Sequence, residues 1–185
     1  MGEEKNRVFH AGKGANGSDY GVVRINRDTP ATIRRKPCPT CPWRKDALTG
    51  AFPAEAFRSS ASTAYDASLT TFSCHESGAK KNAICAGFIL ANSENNMAMR
   101  IKFMNGQKID VSNPEEVELY ESYRAMAIAN GVNPGDPRIA PCRGDDENGF
   151  EVADRVRKAG LNARLVSDDI ISELLDENHD ELMKK

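Results

Sequence analysis

The stretch Lys36-Pro37-Cys38-Pro39-Thr40-Cys41-Pro42-Trp43-Arg44-Lys45-Asp46 decides how this chain is read. Three prolines within six residues, Pro37, Pro39 and Pro42, forbid a regular helix, so the segment must be a structured turn or an open loop. Two cysteines with two residues between them select the turn, because that spacing lets a backbone loop present two sulfurs to one ion. A second pair follows after 32 intervening residues, Cys74 and Cys85, giving C-x2-C and then C-x10-C. Four thiolates satisfy a tetrahedral zinc site or a four-iron cluster. The competing reading is four buried thiols that act as small apolar side chains. The prolines and the basic residues around the first pair argue against an apolar pocket.

His75 stands beside Cys74 and is weighed in two roles, an alternative ligand or a hydrogen-bond partner of a ligand sulfur. Adjacent residues seldom bind one ion, which favours the second role. Zinc is the favoured ion, because the Cys-Pro-x-Cys turn is of the zinc-ribbon kind and no redox partner motif accompanies it. A [4Fe-4S] cluster is the alternative, suggested by the uneven spacing and by proline after cysteine. Cys142 reads as a plain thiol. His10 and His179 carry no assignment.

Composition agrees with a small core that a metal can stabilise. The 185 residues are 39% hydrophobic but only 6% aromatic, with a single Trp. No stretch approaches the roughly 18 apolar residues of a membrane span, and residues 1–13 are too polar for a secretion signal. The expected location is therefore the cytoplasm of a bacterial cell, where clustered cysteines are metal ligands or catalytic thiols rather than disulfides. Five cysteines leave one unpaired under any disulfide scheme.

Charge is uneven along the chain. Residues 1–104 hold 15 Lys+Arg and 9 Asp+Glu, a balance of +6, whereas residues 105–185 hold 10 and 18, a balance of -8. Arg34, Arg35, Lys36, Arg44 and Lys45 flank the first cysteine pair, and with Trp43 they suggest phosphate contact plus base stacking, or contact with an acidic host protein. Gly12-Lys13-Gly14 lacks the spacing of a phosphate loop.

The expected architecture is mainly α, a small α+β chain in three parts. Residues 1–32 are a flexible Gly-rich arm with a short strand over 20–25. Residues 33–132 are a metal-centred domain with helices over 53–59, 84–106 and 113–131 and a loop over 59–71. The last two helices rest on a periodic apolar pattern and on the cap signal Asn113-Pro114. Residues 133–185 are a linker, a helix over 150–159 and an acidic helix from about 168, whose Ile170, Ile171, Leu174 and Leu175 face seven acidic residues.

The set Lys36 to Asp46, Phe52-Pro53, Phe72-Ser73-Cys74-His75 and Cys85-Ala86-Gly87-Phe88 resembles the signature of a family of uncharacterised cysteine-motif proteins from bacteriophages and actinobacteria. The resemblance covers residues 34–131, through Asn96-Met97-Ala98-Met99-Arg100. It implies a shared centre at Cys38, Cys41, Cys74 and Cys85, and no established activity. Together these features predict a non-enzymatic binding protein, phage-encoded, acting on a host protein or nucleic acid through its basic region and offering its acidic helix as a second surface. An iron-sulfur regulator is the alternative. Catalysis is disfavoured because four sulfurs leave no open metal position.

Overall fold

The computed structural model describes residues 7–24, 31–78 and 81–161. Among these residues the chain is a small α+β fold with five α-helices and two two-stranded sheets. No helix there is long and apolar enough to cross a membrane.

The glycine-rich start is an antiparallel hairpin, β1 (Arg7–Lys13) paired with β2 (Asp19–Arg24), with the register shifted between His10 and Gly12. The expected strand over 20–25 coincides with β2 as far as Arg24. The flexible arm does not hold for this part. The turn between the strands is closed by Asn16, whose side chain accepts from Ser18 N at 3.0 Å, and by Gly17 at φ +78°. Gly14 sits so close to the next segment that a Cβ there would lie 2.1 Å from the Ala51 carbonyl oxygen. Ala15 N donates to Gly50 O at 2.9 Å and the Tyr20 ring meets Phe52 edge-on at 5.3 Å. These contacts fix a segment whose composition alone suggests disorder.

Helix α1 (Ala54–Ser60) begins after Pro53, as expected, and runs into a 3-10 turn over Ala61–Ala64 where a loop was expected. Strand β3 (Thr32–Ile33) pairs in parallel with β4 (Ala83–Ile84). The single helix expected over 84–106 is two, α2 (Ala86–Asn92) and α3 (Met97–Met104). Asn96 explains the break. Its side-chain oxygen accepts from Met99 N at 3.0 Å to cap α3, while its amide donates to Thr63 O and Thr70 O at 3.0 and 2.7 Å. A continuous helix would lose all three bonds.

The helix expected over 113–131 is shorter still: α4 covers Tyr123–Ala129, capped by Ser122. Asn113 caps a local turn instead, bonding Val117 through both its amide atoms. The following residues run beside the cysteine turn, with Lys45 N donating to Glu118 O and Tyr120 N to Trp43 O, each at 2.9 Å. Tertiary pairing overrides a sound local start signal there. Helix α5 (Gly149–Lys158) matches the expected helix over 150–159; Asn148 and Glu151 form a reciprocal capping box, and Val152 and Val156 face inward.

Trp43, Phe72, Phe88 and Tyr123 form the aromatic centre of the core, with ring centroids between 5.9 and 6.5 Å apart. Ile139 and Cys142 belong to the same buried cluster. The boundary expected after residue 132 therefore runs through packed core, not through a linker. The acidic helix expected from about 168 lies outside the described residues.

Candidate metal centre

The four cysteines come from three places, and local hydrogen bonds shape each one. Cys41 N donates to Cys38 O and Arg44 N to Cys41 O, both at 3.0 Å, which winds the Cys-Pro-Thr-Cys segment into two successive tight turns. Cys74 opens a turn in which Ser77 N donates back to Cys74 O at 3.1 Å, and its own N donates to Ala83 O at 2.7 Å. Cys85 stands at the N-cap of α2, its N donating to Phe72 O at 2.9 Å. All four are buried.

Their sulfurs fall in two neighbouring groups, Cys41 with Cys85 and Cys38 with Cys74 and His75. Cys41 Sγ lies 3.7 Å from Cys85 Sγ. Cys38 Sγ, Cys74 Sγ and one His75 ring nitrogen all lie within 4.8 Å of one another, close enough to bind a metal ion. The backbone at Trp43 pulls the Cys41 pKa down, and the backbone at Glu76 that of Cys74, each against the larger raising effects. Such interactions favour the thiolate form.

Without a cation the cluster favours protons. The neighbouring Cys41 and then burial, opposed by Cys74, push the Cys38 thiol up to about 12. Cys41 is drawn down by Cys38, but Cys85 and burial outweigh that and it also stands at about 12. Cys74 is raised by Cys38 and by burial. A bound cation replaces these protons and pairs the sulfurs with the charge they lack.

His75 is oriented by a chain of side chains. Arg34 pairs with Glu76 at 3.0 Å, the Thr40 hydroxyl donates to Glu76 Oε1 at 3.1 Å, and Thr40 Oγ1 lies 2.9 Å from His75 Nε2. A carboxylate only accepts, so the single Thr40 proton is directed to Glu76, and Thr40 accepts from His75 Nε2–H. In the neutral ring the lone pair is then on Nδ1, which faces Cys38 Sγ at 3.9 Å. The ring packs edge-to-face with Phe52, centroids 4.9 Å apart. Burial lowers the His75 pKa, against the pull of Glu76, and favours that neutral form. Thr40 and Glu76 were not expected as partners of the centre.

Gly87 fits tightly against the cluster, since a Cβ there would lie 2.7 Å from Trp43 Cβ and 3.0 Å from Cys41 Sγ. The glycine of the Cys85-Ala86-Gly87-Phe88 motif thus lets α2 approach the cysteine turn, a reason that the motif alone does not disclose.

The expected contact residues are arranged differently from the expectation. Trp43 is fully buried, because its indole fills the centre of the aromatic core, so it offers no ring for base stacking. Arg34 is paired with Glu76, Lys36 with Glu115, and Arg44 with both Asp46 and Glu115. Arg35 and Lys45 are exposed and form no ion pair among the described residues. Cys142 is apart from the cluster, its thiol donating to Ala61 O at 3.5 Å, and burial raises its pKa. His10 is exposed, and His179 lies outside the described residues.

Neither the curated proteins nor the solved structures hold a match to this chain. A family model does match, over residues 33–143, which includes every cysteine of the cluster and reaches past Cys142. With more than half of its length covered, the chain belongs to the Family of unknown function (DUF6283).

Proposed function

We propose that this chain is a metal-stabilised, non-enzymatic binding protein in which Cys38, Cys41, Cys74 and Cys85 hold one zinc ion, with the His75 imidazole beside them. The observation that carries the reading is the 3.7 Å between the sulfurs of Cys41 and Cys85. Zinc-sulfur bonds of about 2.3 Å in a tetrahedron place neighbouring sulfurs about 3.8 Å apart. In a four-iron cluster each thiolate binds a different iron, and the sulfurs stand farther from one another.

His75 orients the site rather than completing it when four sulfurs are engaged. Its Nδ1 faces Cys38 Sγ, and the Thr40–Glu76–Arg34 chain fixes the ring. A four-sulfur site leaves no position for substrate, which supports a binding role over catalysis. For the partner, a host protein is favoured over nucleic acid. Internal carboxylates neutralise three of the five cations near the cysteine turn, and the aromatic ring is buried. Two separate cations, Arg35 and Lys45, make a weak phosphate footprint and ordinary rim contacts for a protein.

Elemental analysis and absorption spectroscopy on protein purified without oxygen test the metal. One zinc per chain with no visible band is the expected result. Iron with acid-labile sulfide and a broad band near about 400 nm would replace this reading with the cluster-bearing regulator.

A further inference from the structure

A depression of about 490 Å³ lies between the end of α2, the α3 residue Phe103, the stretch 109–111 and the 143–147 segment before α5. None of its lining residues belongs to the cysteine centre. Leu90, Phe103, Ile109 and Val111 give it apolar walls. Ile109 packs on the core, but Leu90 and Phe103 are 41% and 51% exposed. Exposed apolar side chains are ordinary singly; two that share one concave surface mark an interaction site.

Five charged side chains also line the depression, and they are unbalanced. Arg143 is held by the two Asp66 carboxylate oxygens at 2.8 and 2.7 Å, and Glu147 is paired with Arg155. Glu94, Glu121 and Asp146 are exposed and form no ion pair among the described residues, which leaves three negative charges unneutralised. Lys102 and Lys108 adjoin Phe103 and Ile109 in sequence but do not line the depression. The backbone that carries the three acids is fixed. Glu94 follows Ser93, whose hydroxyl donates to Ile89 O at 2.7 Å, and Glu121 precedes Ser122, which caps α4. Asp146 lies in a turn that Glu147 closes by accepting from Gly144 N at 2.6 Å.

We propose that this depression docks a basic segment of a partner protein. Side chains of leucine or phenylalanine size enter between Leu90 and Phe103, and flanking Lys or Arg residues meet Glu94, Glu121 and Asp146. The proposal rests on the binding role inferred above and gives the partner its chemistry. Nucleic acid would bring phosphates against three carboxylates. A small molecule is enclosed by its site over roughly 70–90% of its surface, whereas the exposure of Leu90 and Phe103 leaves this depression open. Charges set around an apolar floor select a partner of opposite sign and speed its approach.

The test uses the isotope-labelled, zinc-loaded, full-length chain and a synthetic peptide of repeated Leu-Leu-Lys-Lys. Amide signals of residues 89–95, 109–111 and 121–122 are expected to shift on titration, and a Leu-Leu-Glu-Glu peptide leaves them in place. A Glu94→Lys, Glu121→Lys double variant should bind the first peptide about tenfold or more weakly with unchanged zinc content. Both side chains are exposed, so the fold survives their replacement. Shifts confined to other residues, equal binding of the two peptides, or full affinity in the double variant overturns the proposal. So do groove signals that already move with chain concentration before peptide is added, since a second copy then fills the site. Full zinc with no peptide binding defeats the groove alone, whereas groove shifts in a chain that holds no zinc defeat only the metal centre.

Discussion

The sulfurs of Cys41 and Cys85 stand 3.7 Å apart although 44 residues separate them in sequence. Between them the chain builds α1, a 3-10 turn, the Cys74 turn and β4, so this one contact closes a long loop through the middle of the fold. Closing such a loop costs chain entropy, and an ion held by both sulfurs, as proposed, would offset that cost only in the folded state.

The first prediction concerns which thiols matter. Cys41→Ser and Cys85→Ser are expected to lower zinc content to a small fraction per chain and to cost at least about 3 kcal/mol, or roughly 6–12 °C in Tm. Cys142→Ser, apart from the cluster, should keep full zinc content. Metal analysis and thermal melts decide it; full zinc in Cys41→Ser would contradict the assignment.

Gly87→Ala sets two effects against each other. Alanine gains about 1 kcal/mol of helix propensity over glycine. The added Cβ, however, meets Trp43 Cβ at 2.7 Å and Cys41 Sγ at 3.0 Å, and both are held near the backbone. Overpacking of about 1–3 kcal/mol should win, with weaker zinc binding in a chelator competition. A variant as stable as the parent would show that α2 shifts freely.

Acid should release the metal. In the proposed site the ligands bind as thiolates, and Cys38 and Cys41 hold their protons up to about 12 in the metal-free cluster. Protons and metal therefore compete, and zinc affinity falls as pH falls, with proton uptake on release. A competition titration at several pH values should show a weaker complex at each step down. Affinity independent of pH would mean that thiolates are not the ligands.

Tyr123→Phe probes the floor of the aromatic core. The Tyr123 hydroxyl donates to Phe57 O at 2.5 Å and lies 2.8 Å from Ser60 Oγ in a fully buried setting. Removing it strands a buried acceptor, at about 1–3 kcal/mol. Denaturant unfolding with an unchanged slope and a lower midpoint is the expected outcome, and zinc content should stay full.

Trp43, the single tryptophan, reports the core. Its emission should be that of an apolar site and should move to longer wavelength when a chelator removes the metal. Added single-stranded oligonucleotide should leave it unchanged; quenching by the oligonucleotide would restore the stacking role that its burial denies.

The grouping of the cysteines was legible in part, because spacing is a local property. The turn containing Cys38 and Cys41, the second pair Cys74 and Cys85, and the place of His75 near them all follow from residue type and interval. Helix α5 was legible for the same reason, since its caps and apolar stripe lie within ten residues. What escaped depends on distant partners. The stretch after Asn113 pairs with Trp43 and Lys45, Asn96 breaks a helix to reach Thr63 and Thr70, and the hairpin is fixed by Gly50 and Ala51. Trp43 was placed at the surface because its neighbours are basic. A sequence shows charge beside a ring but not the three other rings that enclose it.

The grip of Arg155 on the carbonyls of Ala140 and Cys142, at 2.9 and 2.6 Å, sets a practical lower bound on the unit that can be studied. The family match ends at Arg143, twelve residues before that guanidinium. A fragment trimmed to the matched region discards the donor and leaves those two carbonyls without it, beside the buried Cys142. Truncation at residue 143 is thus expected to yield insoluble or partly folded material even with metal supplied, and shortened forms should extend through α5.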